Sequence, residues 1–137
     1  MSKESIRTAG ILLVIFPTVV FGGASLLGLI LSGQPGYQDN PLRQDLWRAG
    51  HAHAGVLLIL SLVSLLYLDR ANLSGRAKGL VRGLIPVSAI LLPVAFFLSV
   101  LSPEATEPNA LIYLAFVGAL TLTAGMIILG VGLIRAK

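Results

Sequence analysis

Four stretches of this chain contain no Asp, Glu, Lys or Arg: residues 9–31, 49–68, 83–101 and 110–134. As α-helices rising about 1.5 Å per residue, each is roughly 28 to 38 Å long, against a hydrocarbon core about 30 Å thick. Lipid offers no hydrogen bonds, so a segment that crosses it must satisfy its own backbone, and a helix does. The expected fold is therefore all-α and integral to the membrane, with four transmembrane helices over those ranges. Short connections make sequence neighbours antiparallel, giving an up-down bundle that forms a single domain over residues 1–137. Composition agrees. Only 12% of residues are charged and 55% are hydrophobic, whereas soluble domains are about 25% charged and a short soluble chain has little interior in which to hide apolar surface.

Along the chain, residues 9–31 follow a basic start at Lys3 and Arg7. Gly22-Gly23-Ala24 resembles a signal-peptidase site, but the apolar run continues well past it, so a retained span is expected. Pro17 should bend this helix. Ala24, Gly28 and Ser32 recur every fourth residue, as do Ala115, Ala119 and Thr123; both sets are expected to pack against neighbouring helices. Asn40 followed by Pro41 predicts an N-cap and a first helical residue. The second helix then starts well outside its apolar run, with Trp47 as an interfacial anchor. Pro86 and Pro93, seven apart, should both face inward.

The connections differ in charge. Residues 69–82 carry Arg70, Arg76, Lys78 and Arg82 against Asp69, whereas residues 102–109 carry Glu104 and Glu107 and no base. With Lys3 and Arg7 at one terminus and Arg135 and Lys137 at the other, the excess of basic residues predicts both termini in the cytoplasm, and residues 33–48 and 102–109 outside. The net charge of +4 is accounted for in this way, and no nucleic-acid partner is implied. The absence of cysteine excludes disulfides, thiolate metal sites and cysteine nucleophiles. No phosphate-binding loop is present, because Gly22-Gly23-Ala24-Ser25 lies inside an apolar run. The Ser and Thr hydroxyls of the spans can bond to their own helix carbonyls.

The spans hold just two imidazoles, His51 and His53, both in the second. His51 precedes Leu68 by about 25 Å of helix, which places it just inside the outer hydrocarbon boundary. Ionisable groups at that depth need partners and mark candidate functional sites. Residues i and i+2 lie about 200° apart on a helix, so the two rings cannot chelate one ion from the same side. His51 shares a face with Trp47, Arg48, Ala54 and Gly55. His53 shares one with Ala49, Gly50, Val56, Leu57 and Leu60. Ala49, Gly50, Ala52, Ala54 and Gly55 strip bulk from around both rings, giving the clearance a flat macrocycle needs. Arg48, one turn outward of His51, is placed to pair with a propionate at the surface. The same residues also suit close helix packing with histidines bonded across helices. A further alternative joins a histidine to one of the outer carboxylates Asp39, Asp45, Glu104 or Glu107 as a zinc or copper site.

The run Gly50-His51-Ala52-His53-Ala54-Gly55-Val56-Leu57 resembles the histidine-bearing helices of haem–copper membrane proteins. It is similar to helix starts in bacterial haem- and copper-containing proteins of nitric-oxide response. It is similar also to the second helix of oxidase and nitric-oxide reductase catalytic subunits. The resemblance implies haem b, or a transition metal ion such as copper or zinc, bound through His51 or His53 as axial ligand, with Arg48 and Gly55 helping to hold the cofactor. With no further histidine in the chain, a six-coordinate haem would take its second imidazole from another copy, so a homo-oligomer or a larger membrane complex is expected beside the lipid bilayer itself. The function implied is redox, gas sensing or cofactor handling in a bacterial cytoplasmic membrane. The alternative is a non-enzymatic structural or assembly subunit with packing histidines. A proton or solute pathway gated by histidine ranks last, since no chain of polar groups continues inward from it.

Overall fold

The computed structural model describes residues 1–136; Lys137, counted above among the basic C-terminal residues, lies outside the described residues. The chain forms helices α1 (Lys3–Leu31), α2 (Pro41–Leu68), α3 (Gly75–Ser99) and α4 (Leu114–Ile134), the last preceded by a 3-10 turn at Ala110–Tyr113. All four are long and apolar enough to cross a membrane. Asn40 caps α2 through its side-chain oxygen and Pro41 follows it, as the sequence predicts. At α3 the sequence expectation needs correction. The helix starts eight residues before the apolar run, because the Ser74 hydroxyl accepts from the Ala77 N–H and caps it there. Arg76, Lys78 and Arg82 therefore ride on helix, and the connection between α2 and α3 shrinks to residues 69–74. Charge takes a helix out of the lipid but does not end it.

The central pair is α2 and α3. α4 packs along α3 and α1 along α2, whereas α1 and α3 touch only briefly and α1 and α4 not at all among the described residues. The arrangement is thus a row with α1 and α4 on its flanks. Leu57, Leu58, Leu65 and Leu68 of α2 meet Val81, Ile85, Ala89 and Leu92 of α3 in the core, joined by Leu12 and Leu129. Buried Ser61 and Ser88 donate to Leu57 O and Ile85 O of their own helices at 2.7 and 2.6 Å, which removes the cost of an unpaired hydroxyl in a dry core.

The expected small-residue stripes do not make the contacts. Ala24, Gly28, Ser32, Ala119 and Thr123 are exposed and Ala115 is half-buried. Contact along α4 is made instead by Gly118, Gly125 and Gly132, which are buried. A Cβ at these three positions would stand 2.8 Å from Leu92 Cδ1, 2.6 Å from Ile85 Cγ1 and 2.5 Å from Leu73 Cγ. A seven-residue repeat keeps one seam facing one neighbour when two helices cross at a shallow angle. Of the two α3 prolines, Pro93 is buried and Pro86 half-buried.

Both ends of the row are tied by polar contacts. At one end, buried Arg43 donates from Nε to Val100 O at 2.9 Å, from Nη2 to Leu101 O at 3.1 Å and from Nη1 to Gly36 O, and its guanidinium lies 4.2 Å over the Trp47 ring. It thereby satisfies carbonyls that the end of α3 leaves without helical donors. Trp47, expected as an interfacial anchor, makes a contact within the fold: its Nε1 donates to Phe97 O at 3.1 Å. Asn40 Nδ2 donates to Pro103 O and Ala105 O, joining the loops around residues 36 and 103. At the other end, Ser2 N donates to Asp69 Oδ2 at 2.6 Å and Ser5 Oγ to Asp69 Oδ1 at 3.3 Å, while Asn72 N donates to Gly132 O at 2.9 Å.

Candidate functional site

The two histidines sit in different surroundings. His51 projects from α2 toward α1 and is half-buried. Its ring edge lies on the Gly22-Gly23 backbone: a Cβ on Gly23 would be 2.9 Å from Nε2 and 3.0 Å from Cε1, and one on Gly22 would be 3.7 Å from Nδ1. The glycine pair is where α1 makes room for an imidazole. Neither ring nitrogen of His51 has a hydrogen-bond partner among the described residues, in contrast to His53.

His53 is exposed, on the α3 side of α2, with its ring centroid 5.2 Å from that of Phe96. Its Nδ1 lies 2.7 Å from Ala49 O. A carbonyl can only accept, so this contact assigns the proton to Nδ1 and leaves the Nε2 lone pair facing away from the backbone. A second hydrogen bond of this kind is what orients an imidazole that serves as a ligand.

Beside His51 runs an apolar slot of about 400 Å³. Its α1 wall extends from Thr8 through Leu12 and Val19 to Gly22, its floor is His51, Ala54 and Leu58 of α2, and its α3 wall runs from Pro86 to Phe97. The slot exists because α1 lies on α2 and barely touches α3. No Asp, Glu, Lys or Arg lines it. The size lies within the range of small-molecule sites, which are typically apolar with a few placed polar groups.

Arg48 and Gly55, the other residues singled out in sequence, lie near this slot without lining it. Arg48 is exposed and its Nη2 donates to Gln44 Oε1 at 3.1 Å, one turn outward of His51. Gly55 is half-buried, and a Cβ there would meet Val19 Cγ1 at an ordinary 3.6 Å. The outer carboxylates are elsewhere: Asp39 and Glu104 border a hollow of about 450 Å³ between the loops, with no histidine. No group of three His, Asp or Glu side chains comes together as metal donors among the described residues.

Two features escaped sequence reasoning. Gly22-Gly23 resembles part of a cleavage site inside a span expected to be retained, and its role appears only when His51 is seen across from it. Arg43 carries no signal in the sequence that sets it apart, yet it is only 6% exposed; its acceptors lie 7 to 58 residues away in sequence. Family models, curated proteins and solved structures contain no match to this chain, so the functional conclusion has to stand on the residues themselves.

Proposed function

We propose that this chain is an integral protein of the bacterial cytoplasmic membrane that holds a lipophilic ligand or cofactor in the α1–α2–α3 slot, with His51 as its polar contact. Its spans run antiparallel, with both termini and residues 69–74 in the cytoplasm and the Arg43–Trp47 end outside. The observation that carries the functional part is an imidazole without a hydrogen-bond partner among the described residues, beside an apolar slot of about 400 Å³. A polar group in lipid is retained at a cost, and ligand contact is the usual return for it.

Haem b is one candidate, and the role is then redox, gas sensing or cofactor handling. One axial imidazole, apolar walls and an arginine one turn outward fit it in part. The remaining requirements are not met by one chain: Nε2 of His51 stands over Gly23 and must swing clear, and His53 points from another side of α2. A second axial imidazole would come from another copy, and the exposed Nε2 of His53 is the atom such a copy, or a larger membrane complex, would reach. A bare copper or zinc ion is served less well, for want of a third donor.

The test is a visible spectrum and metal analysis of protein purified after growth with iron and a haem precursor. A Soret band lost in His51→Ala supports the haem form. No Soret band and no stoichiometric metal would remove haem and metal together. Orientation is tested separately, because the chain lacks cysteine: single cysteines at Gln38 and Arg70 should label with membrane-impermeant reagent from opposite sides.

A second reading is favoured by the Gly22-Gly23 contact. His51 would then be a packing residue and the protein a structural or assembly subunit. In that case a His51→Gln, His53→Gln double variant keeps its oligomeric state and binds no less of any cofactor.

A further inference from the structure

The slot has a shape as well as a polarity. Its α1 wall, from Thr8 to Gly22, is about 21 Å long at about 1.5 Å per residue. One leaflet of a hydrocarbon core about 30 Å thick is only about 15 Å deep. Its volume of about 400 Å³ is drawn out over that length rather than gathered at one level. The slot is therefore elongated and longer than a leaflet.

Its hydrogen-bonding capacity is concentrated at one end. Thr8 Oγ1 donates to Glu4 O at 3.0 Å and Thr18 Oγ1 to Ile15 O at 2.8 Å, so both wall hydroxyls are committed to their own helix. His51 remains, at the outer end, with no charged side chain in the lining. A charged head would be costly there. An ordinary phospholipid keeps its head in the headgroup layer, carries two chains and ends near the midplane. The complementary molecule has an uncharged ring that accepts from an imidazole N–H below the headgroups, followed by a single tail longer than a leaflet.

We infer that the slot is a binding site for an isoprenoid quinone, which enters sideways between α1 and α3 with its ring at His51 and its tail running inward past Leu12. This rests on the reading of the slot as a ligand site. Trp47 is the one tryptophan of the chain. Its ring centroid is 6.0 Å from that of Phe97, which lines the slot, so Trp47 fluorescence reports on a quinone bound there. The full chain in phospholipid nanodiscs is titrated with ubiquinone-10, with a ubiquinone bearing one isoprene unit, and with phospholipid brominated along its chains. Saturable quenching by ubiquinone-10 is expected. It weakens about fivefold or more in His51→Leu, the scale of one lost hydrogen bond, weakens also with the short tail, which leaves most of the slot unfilled, and is abolished when the slot is filled by Ala54→Phe or, from the other wall, Ile90→Phe.

Equal quenching by short and long tails, or quenching indifferent to His51→Leu and to both filling variants, overturns the inference. If brominated chains or haem respond to the filling variants and ubiquinone-10 does not, the quinone assignment fails while the slot remains a ligand site. If no probe responds to either filling variant, the ligand-site reading falls as well.

Discussion

On α4, Gly118, Gly125 and Gly132 face Leu92, Ile85 and Leu73; on α1, Gly22 and Gly23 face His51. Both interfaces use missing side chains to bring a helix close, and they end differently. Along α4, a large aliphatic side chain from α3 or from the turn that precedes it seats at each glycine, once every two turns, and α3 and α4 stay in contact. Along α1, the glycines are adjacent, so the close approach is made at one level only. Below it α1 stays on α2 without reaching α3, and the slot opens in the gap. Repetition of small residues closes an interface, whereas a single small-residue step leaves room beside it.

The largest expected effect comes from breaking the closed side. In Gly125→Val the new Cβ would stand 2.6 Å from Ile85 Cγ1 and 3.3 Å from Leu84 Cβ. Neither atom is the loose end of a side chain, so the helices must part. Overpacking of this kind costs about 1 to 3 kcal/mol, more than the roughly 0.5–1 kcal/mol of helix propensity that replacing glycine recovers. Thermal unfolding in detergent should show a clear loss for Gly125→Val. Gly28→Ala, where nothing lies within 4 Å of the new Cβ, should be neutral or slightly stabilised. A neutral Gly125→Val would mean that α3–α4 is no tighter than α1–α2.

The two interfaces also differ in how far the sequence discloses them. The four spans follow from uncharged runs, and the start of α2 from Asn40-Pro41, because these are local properties. The seven-residue spacing of Gly118, Gly125 and Gly132 was equally local and legible, but the four-residue spacing of Ala115, Ala119 and Thr123 draws the eye first. Choosing between the two periods requires knowing which side of α4 meets α3. The slot was not legible at all. It depends on α1 leaning on α2 rather than nesting between α2 and α3, and that follows from the sum of many weak contacts. His51 and His53 were recognisable as the polar exceptions in an apolar helix. That His51 meets glycines of α1 while His53 bonds its own helix depends on which neighbour lies to either side.

A middle-sized effect sharpens the open side. Gly23→Ala sets a Cβ 2.9 Å from His51 Nε2. Here the opposing atom is the far end of a side chain that has the slot to turn into, so the cost should stay within about 1 kcal/mol. It should vanish in a His51→Ala background, where the ring is gone, and such a double-variant cycle isolates the contact. A Gly23→Ala penalty that persists without His51 would show that the glycine serves α1 itself rather than the histidine.

The smallest effect concerns the first turns of α1 and the last turns of α4, at the end of the row that holds Asp69. Asp69 ties α1 to α2, and partial burial works against its charge. The Ser2 N–H and the hydroxyls of Ser5 and Ser2, together with the nearby terminal amine, outweigh that burial and hold its carboxyl below the usual carboxylate range. A group whose pKa is lower folded than unfolded stabilises the fold above its unfolded value, about 3.9 for Asp, and loses that contribution as pH falls through the folded value. α4 is joined at the same end by Asn72, which donates to Gly132 O and Arg135 O and does not titrate. With exchange referred to the intrinsic rate at each pH, acidification from pH 6 to pH 3 should therefore lower protection in the first turns of α1 and leave that of the last turns of α4 unchanged. Asp69→Asn should show the looser α1 already at pH 6 and respond no further. Equal loosening of both helix ends would place the acid sensitivity in the bundle as a whole rather than at this contact.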